Sequence, residues 1–334
     1  MSTGLTDIVK AAPVADYMLA ELPEKLPFLA SGAATLDFEQ IAKEGGDFIT
    51  VPKLSFDTVA FEKNDGTETS TPGKIYSYKD IAAVAHRKRV RGVDNVVKAA
   101  LGTGQADVIA RAIVSTAAPY WGLEMTRSTV NVLAGLFKTS GPLATSHKKI
   151  NANTSAGAVL PASSAKLIET MAMLGDSMND FAGAVMHSKV FSDLLNESNA
   201  KAAFVPMAGG QLQAVWMGKP VYLSDLCYAS GTDKYKIYHT YLFRPGALFY
   251  SWQRDIETLY ELEARFPREI LTQTADYAVH VRGVKWGVTT TNPADSDYAT
   301  VGNWATCVLE GTSTAIDSRL IGVACLESNA SVAP

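Results

Sequence analysis

The sequence predicts an α+β fold in which one long helix lies against a broad, strand-rich body. Three observations carry this. Residues 104–137, GQADVIARAIVSTAAPYWGLEMTRSTVNVLAGLF, form the longest stretch readable as helix. At 1.5 Å rise per residue it would extend roughly 50 Å, about the width of a small domain. Residues 47–93 before it turn to a strand pattern, and the last third of the chain is strand-dominated as well.

At 334 residues the chain has room for about two domains or one elaborate one. With 47% hydrophobic and 19% charged residues it can bury a sizeable core and is not a disordered chain. Its net charge of −4 argues against general nucleic-acid or membrane binding, which relies on a basic surface. Cys227, Cys307 and Cys325 are odd in number and contain no CxxC pair, so a disulfide framework or zinc site is not expected. Residues 1–26 lack the basic region and uninterrupted apolar run of a signal peptide, and no apolar run reaches membrane-span length. The expectation is a soluble intracellular product.

Prolines 13, 23 and 27 punctuate residues 1–45, which read as an extended arm with a short helix near Tyr17, Met18 and Leu22. So apolar an arm is expected to pack on another subunit. FITVPKLSF, with Pro52, suits an edge strand. KNDGTETSTPG is a polar turn-rich tip, and IYSYKDIAAVAHRKRVRGV is the returning strand of a long hairpin. That strand carries His86, Arg87, Lys88, Arg89 and Arg91, with Arg87, Arg89 and Arg91 on one face. The tip carries Glu62, Asp65 and Glu68. Such charge runs serve either as solvated faces or as a complementary pair between copies.

In the long segment Ile109, Ile113, Ala117, Tyr120, Leu123, Val130, Ala134 and Phe137 keep helical spacing along one face. Pro119 allows two readings: a kinked single helix, or a second helix that starts there. SAKLIETMAML (164–174) is an amphipathic helix, and FAGAVMHSKVFSDLL is a short buried strand followed by a helix capped by Ser188. Short strands follow at QLQAVW and KPVYLSDL. YKIYHTYLF and ALFYSW, joined at 244–246, read as a hairpin. IETLYELEARF reads as a half-exposed strand, YAVHVRGVKW (277–286) as one long strand, and WATCVLEG and RLIGVACLES close the chain.

Signals for chemistry are few. GTGQAD (102–107) is a partial glycine fingerprint whose last glycine is replaced by Asp107, a residue suited to a helix start. There is no phosphate loop, no H-E-x-x-H and no G-x-S-x-G elbow. Histidines 86, 147, 187, 239 and 280 are scattered without metal-ligand spacing. No catalytic, cofactor-binding or metal residue is expected, and the chain is not read as an enzyme.

The order of these features resembles the tailed-bacteriophage major capsid (coat) proteins of the Hong Kong 97 type fold. YWGLEMTRSTVNVLAGLF (120–137) resembles the family's spine-helix ending, and AVMHSKVFSDLL (184–195) its axial strand-helix unit. GKPVYLSD, LFRPGALFYSW, YAVHVRGVKW and NP…NWATCVLE resemble the strands that follow. The resemblance implies an N-terminal arm (1–45), an extended β-hairpin loop (46–93), a peripheral domain with the spine helix (94–150), an axial domain (151–250) and return strands of the peripheral domain (251–334). It implies pentamers and hexamers in an icosahedral shell around packaged double-stranded DNA, bound without sequence specificity and with no membrane involved. A portal protein and a decoration protein are implied partners. With the spine reached by residue 104, a separate scaffolding protein is implied in place of a fused prodomain. Lys63 and Asn64 are adjacent on the loop and indicate no isopeptide cross-link. The resemblance places the subunit in the virion capsid, assembled in the host cytoplasm. The contacts between subunits are then assigned to Glu62, Asp65 and Glu68 at the tip and to Arg87, Lys88, Arg89 and Arg91 on the returning strand. Two other readings are an encapsulin-type compartment enclosing cargo enzymes and a soluble enzyme whose site is assembled from distant residues.

Overall fold

A computed structural model describes residues 27–36, 46–55, 75–94, 106–155, 157–197, 201–206, 212–231, 235–263 and 268–331. In chain order, a helical turn α1 (Pro27–Ala30) leads to β1 (Ala34–Leu36), β2 (Phe48–Leu54) and β3 (Ser77–Asp94). The long helix α2 (Ala106–Phe137) and β4 (Lys148–Asn151) follow, then α3 (Ser164–Met171), β5 (Gly183–Met186) and α4 (Ser188–Leu195). Next come β6 (Ala202–Pro206), β7 (Leu212–Trp216), β8 (Lys219–Leu223), β9 (Tyr228–Ser230) and β10 (Ile237–Phe243). The last third holds β11 (Leu248–Glu263), β12 (Arg268–Val281), β13 (Val284–Trp286), α5 (Asp295–Tyr298), β14 (Trp304–Thr306) and β15 (Val323–Ser328).

Among the described residues the strands form two sheets. The first has the order β1-β11-β12-β3-β13-β14, with β2 on β3; the second runs β4-β15-β10-β5-β8-β7-β6, with β9 on β10. Side chains alternate between faces along each strand, so each sheet can serve two cores. Ala275, Tyr277, Val279 and Val281 of β12 turn toward α2, whereas Ala278 joins Ile49, Ala82, Val84 and Phe249 on the other side. In the second sheet Val185, Tyr241, Phe243 and Cys325 face α2, and Ala184, Met186, Leu242 and Leu326 face α3 and α4.

The helix is continuous through Pro119, which settles the choice the sequence left open. Proline withholds only one donor, and Pro119 lies on the exposed side. Among the described side chains, the buried face keeps Val130 and Phe137 of the predicted stripe but otherwise departs from it. Trp121, Met125, Val132, Leu133 and Leu136 are buried, while Leu123 is 45% exposed. The reason is that the C-terminal half touches both sheets. Thr129 and Tyr250 share a 2.7 Å hydroxyl hydrogen bond on the first, and Phe137 packs on Tyr241 of the second.

Several expectations are corrected. Among the described residues the hairpin strands pair from Phe48↔Ala83 to Leu54↔Ser77, and from Val84 to Asp94 β3 pairs with β12. The basic segment is thus part of the sheet body, because β12 pairs with it along its length. Its tip, with Glu62, Asp65 and Glu68, falls outside the described residues. β10 and β11 are not a hairpin: the turn at Gly246 (φ +64°) carries the chain from one sheet to the other, where β11 pairs with β1. The 277–286 strand is interrupted at Gly283 (φ +89°), a backbone angle favourable for glycine. The 251–334 segment does not stay with the first body. β15 enters the second sheet between β4 and β10, as suits a strand buried on both faces from Val323 to Leu326. The N-cap of α4 is His187, whose ring accepts from the Lys189 amide at 3.1 Å; Ser188 donates to Asp225 instead.

Two consequences are measurable. At Gly135, α2 approaches α5 so closely that an added Cβ would meet the Tyr298 carbonyl and lie 2.9 Å from Trp304 Nε1. Gly→Ala inside an open helix gains up to about 1 kcal/mol. Here Gly135→Ala is expected to lose about 1–3 kcal/mol through overpacking, read by urea unfolding. His280 is fully buried; its Nε2–H donates to the Val284 carbonyl at 2.8 Å, and burial lowers its pKa to about 4. An unfolded histidine takes a proton near pH 6.5, so His280 contributes stability above that pH. That contribution falls as the pH drops from about 6.5 to about 4, by about 3 kcal/mol in all. By NMR the His280 ring should remain neutral at pH 5.5, and titration near 6.5 would contradict its burial.

Candidate assembly surface

The basic strand was the candidate surface, and β3 sorts its residues by parity. Arg87, Arg89 and Arg91 share the face of Ala83 and Ala85, toward α2; Lys88 and Val90 lie on the opposite, exposed face.

Arg87 works within its own chain. Its guanidinium donates to the Pro293 carbonyl at 2.8 Å and to Asn292 Oδ1 at 3.2 Å, and pairs with Asp295 at 3.5 Å. Asn292 also accepts from the His86 amide, and Asp295 accepts from Ser128 of α2 at 3.3 Å. One arginine therefore joins β3, the 292–295 loop and the long helix. Arg89 reaches α2 directly, its guanidinium carbon 3.4 Å from the centroid of the Tyr120 ring. A cation over an aromatic face is attracted by the ring quadrupole, more strongly where water is excluded.

The opposite face offers free surface. Cross-strand register aligns Glu257, Thr274 and Lys88 in one row and Leu259, Thr272 and Val90 in the next. Leu259 and Val90 are 53% and 55% exposed. An adjacent row is ionic: Asp276 pairs with Arg254 at 3.0 Å and with His86 at 2.9 Å, and His86 also meets Asp47 at 3.3 Å.

The structure thus divides the four basic residues between two faces of β3 and gives Arg87 and Arg89 internal partners. Asn292 and Asp295 leave no local trace in sequence because they lie about two hundred residues from Arg87, and the spacing of Tyr120 marks it only as part of the helix stripe. Leu259 shares the outward face of Glu257, where a single leucine in a half-exposed strand gives no signal of its own.

A second polar group supports the helix from below. Lys148 Nζ donates to the carbonyl of Phe137, the last residue of α2, at 2.8 Å and pairs with Glu327, which also accepts from His239. Cation and helix C-terminus complement each other, and these hydrogen bonds hold the Glu327 carboxyl below its usual range despite burial. The three cysteines are buried, and desolvation pushes the Cys227 thiol up to about 12. Among the described residues no group of three or more His, Cys, Asp or Glu side chains is arranged to hold a metal.

The long helix is thus packed between two sheets, with β2 paired to β3 of the first. The chain is similar in fold to the capsid protein of cyanophage Pam1 (TM-score 0.59, 11% identity, 92% of each chain covered). It is similar also to that of Ralstonia phage GP4 (0.57, 8%, 93% of each chain). The head structure of Helicobacter pylori bacteriophage KHP40 matches as well (0.55, 10%, 92% of this chain and 91% of that one). No curated protein matches the chain by sequence. Residues 93–315, more than half of the chain, match the family described as "Gp13-like: Major capsid protein 13-like". The chain belongs to this family of phage major capsid proteins, structural components of the virion.

The internal role of Arg89 can be tested on the unassembled subunit. Arg89→Ala should lower its unfolding free energy by about 1–2 kcal/mol, the scale of a desolvated cation–π contact. Unchanged urea stability would mean that Arg89 is not needed within the fold.

Proposed function

We propose that copies of this chain assemble as pentamers and hexamers into an icosahedral shell that encloses packaged double-stranded DNA. Membership of the major capsid family carries the reading. Physical features agree with it. A closed shell needs heterologous edges that repeat from copy to copy, and the exposed Val90–Leu259 face offers one uncommitted surface. A net charge of −4 suits a container, since a strongly basic lining would bind DNA and oppose its movement. The shell would form in the host cytoplasm on a separate scaffolding protein, with a portal and, on its outside, a decoration protein.

For the contacts, the acidic tip (Glu62, Asp65, Glu68) of one copy pairs with the basic strand of another. Lys88, exposed on the face turned away from α2, is the better assembly candidate, with the half-buried Arg91 on the other face of the strand as the second, since Arg87 and Arg89 have partners within the chain. Electron microscopy of the purified protein with scaffold supplied should reveal megadalton shells; only small oligomers under every condition would overturn the reading. Lys88→Glu with Arg91→Glu should reduce shell yield at least tenfold while the subunit keeps its circular dichroism and unfolding midpoint. Reversing the three tip carboxylates to lysine in the same chain should restore yield. Normal shells from the Lys88/Arg91 variant alone would remove this contact.

A further inference from the structure

The turn that joins β7 to β8 is built against the preference of its first residue. Trp216 pairs with Lys219, so Met217 and Gly218 alone make the turn, with φ of +50° and +75°. A tight hairpin turn with positive φ at both positions favours Asn, Asp or Gly in the first. A bulky methionine there is strained, and backbone strain of this kind clusters at functional sites. Met217 is also 48% exposed, so the turn holds an apolar side chain out in water. Past the other end of β8 lies a groove of about 450 Å³, lined by Pro119, Leu123 and Thr126 of α2 and by residues 223–226. Leu123 and Leu223 both leave apolar surface open there. We propose that the Met217 turn of one copy of this chain seats in the Leu123–Leu223 groove of the next copy.

Two observations select a second copy. The first is geometry. β8 separates the turn from the groove, and from Met217 to Leu223 the strand spans roughly 20 Å at about 3.3 Å per residue. A turn cannot reach a groove at the far end of its own strand, so the groove that takes it belongs to another molecule. The second is chemistry. The turn carries one apolar side chain with two lysines next to it in the sheet. Lys219 follows it and is exposed, and the Lys201 carbonyl accepts from the Met217 amide at 2.8 Å. The groove is lined by leucine and proline, with Asp225 at its rim. Ser188 donates to the Asp225 carboxylate at 2.6 Å and His187 lies at 3.6 Å, yet its side chain stays 74% exposed. Methionine, unbranched and flexible, adapts to an irregular apolar slot, and the lysines bring charge opposite to that of Asp225. Because turn and groove are different surfaces, each copy offers its turn to one neighbour and its groove to the other. Such a head-to-tail contact closes into a ring where the rotation permits. The inference rests on the reading of the chain as a shell subunit, whose pentamers and hexamers are rings of this kind.

Cysteine cross-linking of the full-length chain under assembly conditions tests this. The native cysteines are buried, which keeps background low. With Met217→Cys and Leu223→Cys in one chain, mild oxidation should give a ladder of disulfide-linked oligomers on a non-reducing gel, ending at the pentamer and hexamer. Either substitution alone should give at least tenfold less linked product. Dimers from one substitution alone, in amounts equal to the product of the double variant, would mean that like surfaces meet and would overturn the proposal. A missing ladder would also overturn it, and where electron microscopy of the same sample shows complete shells, the shell reading stands without this contact. A ladder without shells would keep the contact and remove the shell. As an independent measurement, Met217→Asn places a preferred residue in the turn while deleting its apolar side chain. The unfolding midpoint of the subunit should hold or rise while shell yield falls at least tenfold. Full yield would overturn the proposal, and so would a lowered midpoint, which would show that Met217 serves its own fold.

Discussion

The C-terminal half of the long helix must be buried on two sides, and the rest of the architecture follows from that requirement. A helix with Trp121, Met125, Val132, Leu133, Leu136 and Phe137 all removed from water cannot be served by one sheet. One flank is taken by β11 and β12, through Tyr250 and Tyr277, and the other by β10 and β15, through Tyr241 and Cys325. The hydroxyls of Thr129 and Ser128 meet those of Tyr250 and Tyr277 on the first sheet, so these four groups keep hydrogen-bond partners within the core. The crossing at Gly246 then follows, since a chain serving both flanks has to pass from one sheet to the other.

Charge reinforces the same arrangement. Arg87 and Arg89 tie β3 to the helix and to the 292–295 loop, and Lys148 neutralises the helix C-terminus from the second sheet. Cations at both ends of the buried half hold the helix in register with each sheet. The side of the first sheet turned away from the helix carries Val90 and Leu259 beside Lys88 and Glu257, a surface of mixed apolar and charged character.

Much of the fold was legible because its signals are local. The helix end at Phe137, the buried β5 and the long β3 all announce themselves by period or by apolar run. What could not be read depends on partners distant in sequence. β10 and β11 look like a hairpin, since a turn sequence does not state whether the next strand returns to the same sheet. The destination of β15 is hidden because a fully apolar strand fits the middle of either sheet. The basic strand was legible as a face, but the partners of Arg87 lie about two hundred residues away in the chain. The helix stripe was drawn for a single buried side, and a second side shifts which residues count as interior.

The position of β15 also bears on the order in which the protein matures on the ribosome. Its neighbours β4 and β10 are made first, yet both lack this partner until residues 323–328 emerge. The first sheet can gather its strands once β14 has been synthesised, whereas the second holds an unfilled slot until translation has nearly reached the end of β15. During that interval two strands present bare backbone edges, the kind of surface on which neighbouring nascent chains join one another. The second sheet therefore fills that gap only after every strand of the first has been made, because β15 follows β14 in the chain.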